Sequence, residues 1–121
     1  MTPQQVYSMI TGISNSVPVA YYRFLNTPEQ PAPAPPFICY FYPNSDDFFA
    51  DNANYQGVAV LVIELYTNFK DLELEGQVES TLSAHELAWV KEEADLDDQR
   101  MHMTTWTTEV VLNTNGGNTN A

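Results

Sequence analysis

The feature that most constrains this chain is the stretch from Tyr55 to Thr67, a strand-like run with apolar residues on both of its faces. Ala59, Leu61, Ile63 and Leu65 alternate onto one side, and Val58, Val60, Val62, Glu64 and Tyr66 onto the other. Side chains of a strand point alternately to its two sides, so such a run demands cover on both. Helices of the same chain can cover one face. With only two helices expected, the other face is expected to meet another subunit.

The elements around this strand follow from periodicity and punctuation. Thr2 as N-cap, Pro3 at the first helical position and Gln5 closing a capping box predict a helix. Val6, Met9, Ile10 and Ile13 share one face of it, and it is expected to end near residue 13. Val17 to Leu25 reads as a strand with Pro18 at its start. Residues 26–36 hold five prolines and predict an extended surface loop. Phe37 to Tyr42 predicts a short strand, and the polar loop after it carries Phe48 and Phe49.

Asp71 then caps a second helix, with Leu74, Val78 and Leu82 inward and Glu73, Glu75 and Glu79 expected in water. Trp89 to Glu93 and Arg100 to Leu112 are the last strands, joined by a turn at residues 95–98. The order α-β-β-β-α-β-β predicts an α+β domain over residues 1–112. Its antiparallel β-sheet should have four to five strands, with two helices packed on one face. Residues 113–121 are polar and predict a flexible C-terminal tail.

Sixteen acidic residues against four basic ones give a net charge of −12. A chain of this charge repels phosphate backbones and anionic membrane surfaces, which excludes ordinary nucleic-acid binding and membrane-surface binding. The longest apolar run, Val58 to Ile63, is far short of a membrane span. No signal-peptide pattern opens the chain, so a reducing cytoplasm is the expected site of synthesis and assembly. Cys39, the single cysteine, lies in an apolar run and reads as a buried thiol.

Chemistry-bearing motifs are sparse. Glu92, Glu93, Asp95, Asp97 and Asp98 lack the ligand spacing and turn glycine of a calcium loop, and read as a solvated turn. His85 and His102 show no metal-ligand spacing, and His102 reads as a sheet-surface residue. No nucleophile elbow, P-loop or dinucleotide fingerprint occurs. The expectation is a non-enzymatic protein without catalytic, cofactor-binding or metal-binding residues. The candidate functional residues are instead a subunit interface made of Phe48, Phe49, Tyr55, Val58, Val60 and Val62.

An ordered string of segments carries a resemblance. After the N-terminal helix come Pro18-Val19-Ala20-Tyr21-Tyr22-Arg23-Phe24 and Pro35-Pro36-Phe37-Ile38-Cys39-Tyr40. Asp51-Asn52-Ala53-Asn54-Tyr55, Ile63-Glu64-Leu65-Tyr66-Thr67 with Lys70-Asp71, a helix with Glu75 and Glu79, and Trp89-Val90-Lys91-Glu92-Glu93 follow. Over residues 1 to about 112 this resembles the small tail-completion or tail-terminator proteins of long-tailed phages and prophages of Gram-positive bacteria. The resemblance implies an α+β subunit of a homohexameric ring at the head-proximal end of the tail tube. Its partners would be copies of itself, the tail tube protein and the head completion or connector protein. DNA would pass through the ring without specific binding.

Two other readings come from the residues. The net charge suits an acidic DNA mimic that occupies a nucleic-acid-binding enzyme, and ten of the sixteen acids lie between Asp71 and Arg100. Another phage neck subunit or a tail-tube subunit would share the same assembly features.

Overall fold

The computed structural model describes residues 1–43 and 56–113. Helix α1 spans Pro3–Thr11 and starts where its cap requires. The Gln5 backbone N–H donates to the Thr2 hydroxyl at 3.1 Å, and the Thr2 N–H donates to the Gln5 side chain at 2.8 Å. These bonds satisfy donors that a bare helix end leaves open. Gly12 closes the helix a residue earlier than the apolar pattern suggests, and Ile13 is still buried.

Strand β1 is only Val19–Tyr21. The expected run to Leu25 is cut at Tyr22, whose φ of 72° is left-handed and cannot continue an extended ladder. The chain then leaves the sheet edge and returns as β2, Phe37–Phe41. The long connection makes a parallel pairing possible, with Val19 opposite Ile38 and Tyr21 opposite Tyr40. Strand β3 spans Gln56–Thr67, helix α2 spans Leu72–Ala84, β4 spans Trp89–Leu96 and β5 spans Met101–Asn113. A 3-10 turn at Asp97–Gln99 joins the last two strands. That turn starts two residues later than residues 95–98 suggest, because Asp95 and Leu96 still pair with His102 and Met101.

The five strands lie in the order β1-β2-β3-β5-β4. Every pairing but β1 with β2 is antiparallel, so the expected α+β sheet is present with one parallel edge. The long pairing runs from Gln56 opposite Asn113 to Thr67 opposite His102. At the far end the Asn113 N–H donates to the Met1 carbonyl at 2.8 Å, tying the chain start to β5.

Both helices cover one face. Val6, Met9 and Ile10 of α1 and Val78 and Leu82 of α2 share a core with Leu61, Ile63, Leu65, Trp106, Val110 and Leu112. Apolar burial at roughly 25 cal/mol per Å² is what holds these layers together. The opposite, outer face carries Val58, Val60, Val62, Glu64 and Tyr66 from β3. It also carries Val90, Glu92 and Ala94 from β4, and Thr105, Thr107, Glu109 and Val111 from β5.

Candidate functional site

Two groups of residues stand out in the fold: a charged cluster beside α2 and the outer face of the sheet. The cluster corrects two expectations. Glu75 is not in water: it is 2% exposed, on the same helix face as Val78 and Leu82. His102 is not a sheet-surface residue but is buried on the core side of β5. The reason lies in β4, whose period of two places Lys91, Glu93 and Asp95 on the helix side of the sheet beside Trp106, Thr104 and His102. A polar half-layer needs polar partners from α2, and Glu75 and Glu79 supply them.

The geometry is close throughout. The Lys70 Nζ lies 3.0 Å from Glu75 and 2.6 Å from Glu93. The Lys91 Nζ lies 2.9 Å from both Glu75 and Glu79. The Trp106 indole N–H donates to Glu79 at 3.1 Å. The His102 ring reaches Asp95 at 2.7 Å through Nδ1 and Glu93 at 2.9 Å through Nε2. Burial pushes the Glu75 carboxyl up, but hydrogen bonds from Lys91 and Lys70 outweigh it and hold the group below the ordinary range. The bond from Lys91 likewise lowers Glu79, and the bond from Lys70 lowers Glu93. Asp95 chiefly raises His102, against the desolvation of the ring.

Glu75, Glu93 and His102 each bring a potential metal-ligating atom within 4.8 Å of one another. The Lys70 ammonium lies against both carboxylates, so the cation of this cluster is a side chain. Held this way, the cluster fixes α2 on the sheet. Of the expected solvated turn, Glu92, Glu93, Asp95, Asp97 and Asp98 are all exposed, and Glu93 and Asp95 also reach the cluster.

The outer face divides into two halves. On the β2 side it is covered by the chain's own residues 22–24. Phe24 packs edge-on to Phe37 at 5.5 Å, Phe37 stacks on Tyr66 at 4.8 Å, and Tyr22 meets Phe41 at 6.0 Å. Cys39 lies beneath this cover, 4% exposed. Burial first, then the nearby Glu64 charge, push its thiol up to about 11.

The other half is open. Val58, Val90 and Val111 are 59%, 66% and 65% exposed, well above what a strand covered on both faces allows. A groove of about 430 Å³ runs beside them, lined by Val60, Val90, Thr107, Glu109 and the residues entering β4. Of the interface residues expected from sequence, Val58, Val60 and Val62 share this outer face. Val62 is buried, at 8% exposure, and is not part of the open surface. Phe48, Phe49 and Tyr55 lie outside the described residues. Val90 and Val111 are part of the same patch and were not foreseen. Their signal was the period-two register across β5, which places them beside Val60 only once the pairing is known.

The chain matches no family model, no curated protein and no solved structure. The surface itself is therefore the guide to function. Its open half is apolar, with Glu92 and Glu109 among the residues of the same face.

Proposed function

We propose that this chain is a structural virion protein, a tail terminator or completion subunit. Copies of it form a homohexameric ring on the head-proximal end of a phage tail tube. The ring halts tube growth and presents its far side to the head connector. The observation that carries this reading is the open half of the outer sheet face, with Val58, Val90 and Val111 in solvent. Three exposed valines on one sheet face are apolar surface that an assembly would bury.

The charge supports the same reading. A ring through which DNA passes must not grip it, and a net charge of −12 repels phosphates. The acidic DNA mimic is less well supported. Glu75, Glu79 and Glu93, three of the clustered acids, are engaged by Lys70 and Lys91 instead of standing open as a phosphate-like array. Among the described residues no helix is long and apolar enough to cross a membrane.

The test is assembly of tail tubes from purified tube protein with and without this chain, with lengths measured by electron microscopy. A terminator shortens the length distribution and leaves added density at one end. A tube subunit would instead lengthen the tubes or enter their walls. Unchanged lengths with bare ends would overturn the proposal.

A further inference from the structure

The open half of the outer face has a counterpart on the same molecule. Beyond the tight turn at Tyr22, exposure alternates: Arg23 and Leu25 are exposed, and Phe24 between them turns inward onto Phe37. With that alternation the flanking residues point outward together, about 7 Å apart. They are Arg23 and Leu25, both exposed, Leu25 at 65%. Arg23 has no carboxylate partner among the described residues and rests over the Tyr22 ring at 5.9 Å. The chain has four cations, and Lys70 and Lys91 are held in the cluster beside α2. Arg23 is thus one of only two left to meet an acidic surface.

The open half presents the complementary pattern. Glu109 sits on β5 opposite Val60, with Val111 two residues along the same face and Val90 diagonal to it. Same-face and diagonal neighbours in a sheet are about 7 Å apart. A carboxylate with valines at that spacing matches a guanidinium with a leucine at that spacing. Two such outer faces meeting each other would instead oppose Glu92 and Glu109 with like charges, with no cation among the residues of this face.

The molecule cannot make this contact with itself. Arg23 lies between Tyr22 over Phe41 and Phe24 over Phe37, at the register of Glu64 and Thr105. Glu109 is four residues along β5 and two strands across, which is roughly 16 Å away at ordinary strand dimensions. The sheet edges offer no alternative route. β1 has three residues, and β4 carries Lys91, Glu92, Glu93 and Asp95, charges of the kind that discourage strand addition.

Resting on the assembly reading above, we infer that residues 22–25 of one copy dock on the Val60, Val90, Glu109 and Val111 surface of the next copy. Arg23 pairs with Glu109 and Leu25 fills the valine groove. The contact joins two different surfaces, so it is heterologous and repeats head to tail, and the ring of the assembly reading requires that its rotation close.

Cysteine trapping in the full chain tests this. Leu25→Cys and Val90→Cys are substitutions at exposed positions, and the native Cys39 is buried. Under mild oxidation, mixing the two single variants should give a disulfide-linked dimer that neither gives alone. The double variant should give a ladder of higher species. Adding Arg23→Glu should lower the trapped yield at least tenfold, and adding Glu109→Arg to that chain should restore it. No trapping in the mixture beyond the single variants, or no rescue by the charge swap, would overturn the inference. Tube capping by the Leu25→Cys/Val90→Cys double variant under reducing conditions separates the two claims. Capping without trapping removes this contact and leaves the terminator reading, while trapping without capping does the reverse.

Discussion

Cys39 shows how far one residue's neighbours set its chemistry. It faces the outer side of β2, a position that would be open had residues 22–24 not folded over it. Burial and the Glu64 charge raise its thiol to about 11, and only the thiolate is reactive. The native protein should therefore resist iodoacetamide at pH 8 and react at an unstructured thiol's rate once unfolded. Rapid native alkylation would mean that the cover over β2 opens readily. Glu75 makes the opposite point, since its cost appears when it is removed. Glu75→Gln should lower unfolding free energy by about 1–3 kcal/mol, because two ammoniums lose their shared buried partner. Lys70 and Lys91 can extend toward water, which keeps the loss below that of a fully buried pair. Equilibrium denaturation measures it, and an unchanged midpoint would contradict the role of the cluster.

Among the elements, β4 with β5 is where charge and fold meet. His102 sits between Asp95 and Glu93, and its pKa is raised above the ordinary 6.5. Its stabilisation is complete below that value and fades as pH rises through the raised one. Glu75, Glu79 and Glu93 are depressed below 4.5, so theirs is present above that value and lost as pH falls through the lowered ones. Melting temperature should therefore decline above about pH 6.5 in the wild type. His102→Gln should flatten that decline, and an unaltered slope would exclude His102 as its source.

The elements also show what the sequence could convey. The capping residues of α1, the two-faced pattern of β3 and the turn before α2 are local signals, and the structure follows them. The early end of β1 was hidden because a single left-handed residue, Tyr22, carries no glycine signature. The burial of Glu75 and His102 was hidden because it depends on which strand lies beside α2. A carboxylate at helix spacing from Val78 reads as solvent-facing until Lys91 is known to be opposite. One clue was present: two of the chain's four cations flank a helix bearing Glu75 and Glu79 four residues apart.

At the scale of the molecule, the apolar alternation of β3 on both of its faces was legible in the sequence. One half of the outer face leaves Val58, Val90 and Val111 exposed. The partition of that face was not legible, because it depends on an arm returning across β2 and on the order β1-β2-β3-β5-β4. The central claim is that this chain functions by repeating a contact between unlike surfaces. Its most direct test is the mass of the purified protein by light scattering over a range of concentration and salt, alone and with tail tubes. The account predicts a discrete ring mass that is a multiple of 13.6 kDa, formed alone or on tube ends, and lost in Val90→Asp. A 13.6 kDa monomer at every concentration and salt that ignores tubes would contradict it.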